Sequence, residues 1–403
     1  MNYYESLNRP RPLGIYVHIP FCRSKCAYCD FNSMVTDSPD IVTRYIDAVI
    51  AHMESYRTAV RDEYVPDSVF IGGGTPTAIL PEELFRLIRA MKKIFPLAEN
   101  TEFTVEANPA TVSYSTLTRL RRLGVNRLSM GLQSAHDNEL KALSRIHTRK
   151  DFARSFRIAR DAGFDNINVD LMFGIPEQTP DTLLHTLHYL TRVGPEHISL
   201  YDLKIEPGTP FYENYAEIAP TLPDEDAEAD MYLSAIAYLR DMGYLQYEIS
   251  NFSRPGRQCR HNLKYWNCDE YLGFGVSAHS YFHGSRFSFT RDIAKYVEGV
   301  TVMDSRVRIT DELEEVGERE RIGEYVMLRL RLTAGIDENE FSRRFGYSFD
   351  ELYGEKCRRF VRGGFMIRRR GITALTPAGM FVSNTILSDL LEFEDLGRFN
   401  FGG

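Results

Sequence analysis

The stretch HIPFCRSKCAYCDFNS, residues 18–33, places three cysteines in one short loop with the spacing CxxxCxxC. Thiolates at Cys22, Cys26 and Cys29 can bind three irons of a four-iron cluster, which leaves the fourth iron without a protein ligand. Two alternatives are a zinc site completed by His18 and a helix that buries the three cysteines on one face. The charged and polar residues between the cysteines disfavour the buried helix. An iron–sulfur cluster is therefore the favoured interpretation.

Strand-like and helix-like runs alternate through the first half of the chain. The strand-like runs are rich in branched and aromatic residues, and the helix-like runs are amphipathic. Strands are predicted at 14–19, 68–74, 102–108, 127–132, 166–174 and 197–203, and helices at 41–56, 81–94, 114–123, 150–162 and 180–193. This alternation predicts an α/β fold in which a parallel sheet with right-handed crossovers forms an open or partial (βα)6 barrel, similar to a TIM barrel.

Polar and glycine-rich residues stand at or just past the ends of these strands. The cysteine loop follows the first strand and GGGTPT, residues 72–77, follows the second. Glu106 lies at the third strand, Gln133 just after the fourth and Asp170 in the fifth. Because chemistry in parallel α/β barrels gathers at the carboxyl ends of the strands, the sequence predicts a site there.

Charge and composition limit the classes of function. The chain has 403 residues and a formal net charge of -8, which argues against nucleic acid as a partner. The N-terminus lacks the features of a secretory signal, and no run is long and apolar enough to span a bilayer. We therefore expect a cytoplasmic protein without a transmembrane segment, whose thiols stay reduced.

Three regions are expected along the chain. Residues 1–215 would form the barrel, 216–305 a connecting segment packed on it, and 306–403 a mostly helical, winged-helix-like C-terminal domain. Helices followed by the hairpin-like GGFMIRRRGITALTP, residues 363–377, suggest the winged-helix comparison. The basic run at 357–371 could contact nucleic acid, an acidic protein or haem propionates, but a solvated hairpin is the favoured interpretation.

The cysteine loop and the glycine loop together resemble the radical S-adenosylmethionine (SAM) superfamily. In that superfamily, the amino and carboxylate groups of SAM chelate the open iron of a [4Fe–4S] cluster. Residues 14–390 resemble the oxygen-independent coproporphyrinogen III oxidase family, the HemN and HemW group. The segments that carry this resemblance are YVHIPFC, GGGTPT, VEANP, MGLQS, NVDLMFGIP and YEISNF. The resemblance implies that the cluster and SAM are cofactors.

The same resemblance implies which residues bind SAM. Tyr16, Gly73 and Glu106 would contact the SAM on the cluster, and Tyr28 would lie beside the turn that holds the cysteines. Carboxylates can accept hydrogen bonds from an ammonium or a ribose hydroxyl, and a guanidinium can bind a carboxylate through two nitrogens. Further family positions that bind SAM, in some members a second molecule, are matched by Gly74, Thr75, Gln133, Arg145 and Asp170.

Two features separate the branches of this family. The oxidases have the pattern CxxxCxxCxC, and the position of the extra cysteine is Phe31 here, which argues against oxidative decarboxylation. The word HNxxYW, with His261, Tyr265 and Trp266, resembles the signature of the HemW branch, whose members are haem chaperones. An imidazole can ligate haem iron, and the two aromatic rings offer flat apolar surface to the macrocycle.

The haem interpretation of this word has alternatives. His261 could be a hydrogen-bonded structural histidine with Trp266 in the core, and Cys259 could supply an axial thiolate instead. Cys259, Cys268 and Cys357 are otherwise expected to be ordinary small buried residues.

These observations favour a haem chaperone that binds the cluster, SAM and haem and delivers haem to haemoproteins such as respiratory enzymes. Catalytic residues are not assigned, because a chaperone need not be an enzyme. The alternatives are an oxygen-independent coproporphyrinogen III oxidase, and a related radical SAM methyltransferase or haem-degrading enzyme. A flavodoxin or ferredoxin is the electron donor that the family resemblance implies.

Overall fold

The computed structural model describes residues 10–109, 111–300 and 308–392, and a long mixed β-sheet runs through most of them. Its strands are β1 Arg11–Ile19, β2 Tyr64–Gly73, β3 Glu102–Ala107, β4 Arg127–Gln133, β5 Ile167–Phe173, β6 His197–Asp202, β7 Leu245–Gln246, β8 Asn251–Ser253, β9 Tyr271–Phe274, β10 His279–Phe282, β11 Ser285–Phe289 and β12 Thr310–Glu315. Their order across the sheet is β12-β11-β10-β9-β1-β2-β3-β4-β5-β6-β8-β7.

The strands β1 to β6 are parallel neighbours in chain order, which confirms the predicted fold class. All six predicted strands are present, and the main difference in bounds is that β1 and β2 begin earlier. Leu13, Ile15 and Val17 on one face of β1 are completely buried, and Gly14 and His18 on the other face are buried as well, as expected for a strand covered on both faces. The barrel is open, because β1 and β6 each pair with a further strand instead of with each other: β9 continues the sheet in parallel beyond β1, and β8 continues it in antiparallel direction beyond β6.

Helices cross between the parallel strands at Pro39–Ser55, Arg57–Glu63, Pro81–Ile94, Tyr114–Arg122, Asp137–Ala142, Arg149–Asp161 and Pro180–Val193. Two of them, Pro81–Ile94 and Pro180–Val193, have the predicted bounds, since a proline occupies the first turn of each. The Thr148 side chain and Asp151 form a capping box at the start of a third. Local capping thus defines where these helices begin.

The rest of the described chain is mostly helical. Its helices are Pro210–Glu213, Tyr215–Ile218, Glu225–Asp241, Arg260–Trp266, Ile293–Val300, Glu318–Arg329, Glu338–Phe345, Phe349–Arg362, Pro377–Phe381 and Ser383–Leu391. A small sheet of β13 Ile336–Asp337, β14 Met366–Arg369 and β15 Ile372–Leu375 accompanies the last five, in the order β13-β15-β14. Short 3-10 helices lie at Pro76–Ala78 and Ala219–Thr221, and Phe21–Cys22 pairs with Met34–Val35.

The C-terminal hairpin β14–β15 carries part of the basic run. Arg368 on β14 donates hydrogen bonds to Glu338 and Asp350, with 2.6 Å between Arg368 Nε and Glu338 Oε1. The guanidinium of Arg368 is therefore already paired with acidic side chains of the C-terminal region.

Strands β9 to β12 extend the sheet beyond β1 and were not predicted. β9 pairs with β1 in parallel, and β10, β11 and β12 follow in antiparallel order. Residues 310–315, which we placed in the C-terminal domain, therefore form a strand of the barrel sheet. The predicted division of the chain into three regions stays a prediction.

Candidate functional site

A cavity of about 460 Å³ opens where the strands β2 to β6 end, and the cysteine loop forms one of its walls. It brings together most of the residues that the sequence analysis singled out. Those that line it are Cys22, Cys26, Tyr28, Cys29, Gly73, Gly74, Thr75, Glu106, Gln133, Arg145 and Asp170. Residues far apart in the chain thus share one site, because the carboxyl ends of parallel strands meet at one edge.

The cysteine loop is held against the barrel by backbone hydrogen bonds. The N–H of Cys29 donates to the carbonyl of Cys26 at 3.2 Å, which closes a tight turn. Between them, Ala27 donates to the carbonyl of Leu143 at 3.2 Å and accepts from the N–H of Phe211 at 3.0 Å. These bonds orient the loop toward the cavity.

Arg145 connects the cysteine loop to strand β4. Its Nη1 lies 3.4 Å from the sulfur of Cys26, and its Nη2 donates to the carbonyl of Gly131 at 3.1 Å. A guanidinium in this position places positive charge beside a thiolate ligand. It would offset part of the negative charge that a cluster held by three thiolates brings into the cavity.

Burial favours the protonated thiols of Cys22 and Cys29. Desolvation raises the pKa of Cys29 to about 11 and also raises the pKa of Cys22. Because only thiolates ligate metals, metal binding at this loop would release protons.

His18 does not offer a ligand for the zinc alternative. Its Nδ1 lies 3.0 Å from the Tyr16 hydroxyl, and its Nε2 lies 2.9 Å from the carbonyl of Asn32. Both ring nitrogens are therefore engaged, and burial lowers the pKa of the imidazole. Within residues 10–109, 111–300 and 308–392, no three or more His, Cys, Asp or Glu side chains are grouped to hold a single metal ion.

Two carboxyl groups approach each other inside the cavity. Glu106 accepts a hydrogen bond from the N–H of Gly73 at 3.0 Å, and Asp170 accepts from Ser129 at 3.1 Å and Asn168 at 2.8 Å. Desolvation, followed by the negative charge of Asp170, raises the pKa of Glu106 to about 8. Such a pair favours a positively charged ligand, which would relieve the repulsion.

The glycine loop approaches the cysteine loop too closely for any side chain. Gly73 has a φ of 110°, and a Cβ on it would lie 2.6 Å from the His18 ring. A Cβ on Gly74 would lie 3.0 Å from the sulfur of Cys22. Glycine is thus required on both counts, by backbone conformation and by space.

Gln133 is directed into the cavity by a bulge at the end of β4. The register with β5 shifts between Gly131, which pairs with Asp170, and Gln133, which pairs with Leu171. Gln133 has a φ of 67°, a conformation that side-chain-bearing residues adopt at a cost of about 1–2 kcal/mol. This local strain is typical of residues that a binding site positions.

Tyr16 is the predicted SAM-binding residue that the cavity excludes. It lines a neighbouring cavity of about 530 Å³ on the other side of the cysteine loop, where Tyr265 also lies. Its hydroxyl contacts His18, as described above, and its ring lies 6.3 Å from that of Phe70. Contact between Tyr16 and SAM stays a prediction.

His261 is buried, with 1% of its surface exposed, and both ring nitrogens are hydrogen-bonded. Nδ1 lies 3.0 Å from the Ser68 hydroxyl and Nε2 lies 2.9 Å from the Tyr265 hydroxyl, while the ring stacks on Phe70 at 5.5 Å. Burial lowers the pKa of this imidazole to about 3. The arrangement matches the structural-histidine alternative, and ligation of haem by His261 would require one of these two hydrogen bonds to break.

The two aromatic residues of the HNxxYW motif lie in different surroundings. Tyr265 lines the 530 Å³ cavity, whereas Trp266 lines neither cavity and packs under the guanidinium of Arg331 at 4.9 Å. Cys259 and Cys357 are completely buried, as predicted, and the Cys259 thiol donates to Glu102 at 3.5 Å. Cys268 is only partly buried.

Several residues of the cysteine cavity were missed. Asn108, Ser129, Tyr201 and Asp202 line it, and Asn108 and Asp202 each have a buried carbonyl or carboxylate oxygen without a hydrogen-bond partner among the described residues. Asn108 lies just past β3, and Tyr201 and Asp202 end β6. The strand-end rule applied to β6 would have found the last two.

The cavity fits a cluster with SAM by the chemistry of its walls. Three thiols face one side, acidic side chains face another, and Asn108 offers an unpaired acceptor oxygen. Thiolates suit iron, and carboxylate and amide oxygens suit the ammonium and sulfonium charges and the ribose hydroxyls of SAM.

The fold and this cavity define a radical SAM protein. Residues 16–190 match the Radical SAM superfamily, and residues 317–382 match the HemN C-terminal domain. Membership of the superfamily implies a [4Fe–4S] cluster and SAM as cofactors. Coproporphyrinogen III oxidase (HemN) from Escherichia coli shares the fold, with a TM-score of 0.83 and 23% identity over 97% of this chain and 93% of that one.

Within this class, the chain belongs to the HemW family. It is 36% identical to "Heme chaperone HemW" of Bacillus subtilis over 379 residues, which is 93% of this chain and 98% of that protein. The protein of the same name from Lactococcus lactis is 32% identical over 94% of this chain and 98% of its own length. Within the described residues, every helix is too short or too polar to cross a membrane.

Proposed function

We propose that this protein is a haem chaperone that holds a [4Fe–4S] cluster and SAM, binds haem and delivers it to haemoproteins. The observation that carries the cofactor part is the convergence of Cys22, Cys26 and Cys29 with the strand-end carboxylates on one cavity. The haem part is supported by the printed names of relatives that match almost the whole chain.

Each group of the cysteine cavity has a role in this proposal. Cys22, Cys26 and Cys29 would hold the cluster, which when bound supplies electron transfer and an open iron for SAM. Arg145 would balance thiolate charge at Cys26, and Glu106, which accepts one hydrogen bond from the N–H of Gly73, would accept others from a cationic ligand. The protein itself supplies binding, orientation and electrostatics.

Phe31 favours the chaperone over the decarboxylating oxidase. The ring occupies the position where the oxidases carry an additional cysteine, and 61% of its surface is exposed beside the cluster loop. A phenyl ring can neither ligate iron nor carry a proton or electron, whereas it can contact an apolar macrocycle. Recipient haemoproteins, including respiratory enzymes, and a flavodoxin or ferredoxin donor are part of the proposal.

The test compares haem binding with porphyrin chemistry in one preparation. Anaerobically reconstituted protein is titrated with haem and followed by absorption difference spectra; a parallel sample receives coproporphyrinogen III, SAM and a reductant. We expect saturable haem binding near one per chain, transfer of that haem to apomyoglobin as a probe acceptor, and no protoporphyrinogen. Repeated turnover of coproporphyrinogen, or no saturable haem binding, would overturn the proposal.

A further inference from the structure

The 530 Å³ cavity beside the cysteine loop has the size and shape of a cofactor site. Five of its fourteen lining residues have apolar or phenolic aromatic rings and the other nine are polar or charged, and it shares Asp30 and Phe31 with the cysteine cavity. The lining residues used below are Phe31, Tyr265, Tyr271, His279 and Arg291. The two cavities are thus separated by one turn of the loop that carries the cysteines.

His279 presents an exposed imidazole to this cavity. It begins strand β10, where its backbone pairs with Ser288 of β11. Within the described ranges, its ring makes no hydrogen bond and no ion pair with any residue. Haem ligation requires a ring nitrogen with a free lone pair, and His279 has one available without any rearrangement.

The other histidines near this cavity lack a free nitrogen. His18 contacts Tyr16 and the carbonyl of Asn32, and His261 contacts Ser68 and Tyr265, so all four nitrogens are occupied. Both rings are also at least 95% buried, whereas His279 is exposed. Geometry therefore selects His279 among the imidazoles around the cavity.

The cavity walls suit a flat apolar ring system. Tyr265 and Tyr271 pack edge to face with ring centroids 4.6 Å apart, and the exposed Phe31 lines both cavities. Aromatic faces contribute large apolar contact area and can stack on a conjugated macrocycle. In such a site the aromatic walls would contact the ring system and the polar side chains would set its orientation.

Arg291 supplies a positive charge that could pair with the propionate groups of a porphyrin. Arg291 is the only lysine or arginine among the described residues that line the cavity, and its side chain is exposed. Two of the three lining carboxylates have partners: Asp311 faces Lys295 at 3.4 Å, and Glu312 accepts from Ser288 at 3.3 Å. Guanidinium groups suit carboxylates such as propionates.

We infer that this cavity is the haem site, with His279 as the axial ligand to the iron and Arg291 facing a propionate. The inference rests on the proposed haem-chaperone function and names the residues of its cargo site. His261 then acts as a positioning residue: its Nε2 contacts the Tyr265 hydroxyl and holds that ring in the cavity wall.

The test is haem titration of three histidine variants in the full-length, cluster-loaded protein. We expect His279→Ala to lose the histidine-ligated haem spectrum and to bind haem at least tenfold more weakly, with added imidazole restoring the spectrum. His261→Ala should keep the ligation spectrum. His283→Ala is the matched control, because His283 follows β10 in the same hairpin but contacts Glu63 at 3.3 Å instead.

The Fe–histidine stretching band of the reduced haem, measured by resonance Raman spectroscopy, reports ligation directly. Circular dichroism and iron content confirm that each variant is folded and loaded. Unchanged affinity and an unchanged band in His279→Ala would overturn this assignment while leaving the haem-chaperone proposal intact, and loss of both in His261→Ala would then identify His261 as the ligand. Absence of haem binding by the unaltered protein would instead reject that proposal.

Discussion

The Nε2 atom of His261 lies 2.9 Å from the hydroxyl oxygen of Tyr265, one helical turn further along Arg260–Trp266. The same ring contacts the Ser68 hydroxyl of β2 through Nδ1. The carboxylate of Glu102 accepts hydrogen bonds from the N–H groups of Arg260 and His261, both at 3.0 Å, at the start of this helix. The histidine therefore links the barrel sheet to the aromatic wall of the second cavity.

Tyr265→Phe removes one end of this link. The change leaves a buried ring nitrogen of His261 without its partner, so the free energy of unfolding should fall by about 1–3 kcal/mol. Urea titration followed by circular dichroism measures the loss. Tyr114→Phe is the control, because the Tyr114 side chain is exposed and its hydroxyl can bond to water. Equal unfolding midpoints for both variants would contradict the structural role of the pair.

Each cysteine of the loop can be tested separately. Cys22→Ser, Cys26→Ser and Cys29→Ser should each lose most of the iron and sulfide from anaerobically reconstituted protein, because a three-thiolate site has no spare ligand. Metal and sulfide analysis, with zinc measured alongside, reports the result. Cys268→Ser is the control, since Cys268 lies outside this loop and lines neither cavity. Retention of iron by a loop variant would remove that cysteine from the ligand set.

Much of the barrel could be predicted because its strands and helices are defined locally. Proline and capping residues define helix starts, as at Pro81 and Thr179, and buried parallel strands are continuous apolar runs. The cavity residues followed from the strand-end rule, which depends on topology alone. Tyr16 is the one predicted SAM-binding residue that does not line the cysteine cavity, because it lines the cavity on the opposite side of the cysteine loop.

What could not be predicted depends on contacts between distant residues. The strands Tyr271–Phe274 and His279–Phe282 have four residues each, and β9 is specified by pairing with β1 more than 250 positions away. The environment of His261 also depends on distant residues. The HNxxYW motif suggests that His261 is a haem ligand, but Ser68 and Phe70 of β2 contact its ring in the fold. His279 carries no motif that distinguishes it, and only the tertiary fold brings it to a cavity.

Gly73→Ala tests the close contact between the glycine and cysteine loops. The φ of 110° strains any side-chain-bearing residue, and the new Cβ would meet the His18 ring. We expect lower stability, by more than about 1 kcal/mol, together with weaker SAM binding, measured by calorimetry and equilibrium dialysis. Gly163→Ala is matched for strain, because Gly163 has a φ of 90° but no atom within 4 Å of the added Cβ. If both variants bind SAM like the unaltered protein, the close approach has no role in the site.

Glu106 should make stability depend on pH in a defined direction. Its pKa is about 8 in the folded protein and near 4.5 when unfolded, so the folded state binds the extra proton between these values. This contribution is fully present below pH 4.5 and is lost as pH rises through 8, with a slope of at most about 1.4 kcal/mol per pH unit. Glu106→Gln, which mimics the protonated carboxyl group, should lose less stability than the unaltered protein over this range. Denaturant titrations without SAM at several pH values measure the difference between the two proteins.

The comparison is between variants, because other buried groups also titrate in this window; desolvation, for example, raises the pKa of Glu248 to about 7. Glu217→Gln is the control, since Glu217 is exposed and lines neither cavity. It should follow the pH profile of the unaltered protein. Parallel profiles for all three proteins would mean that Glu106 is already ionised in the folded state, and that the carboxyl pair with Asp170 does not hold a proton for a cationic ligand to displace.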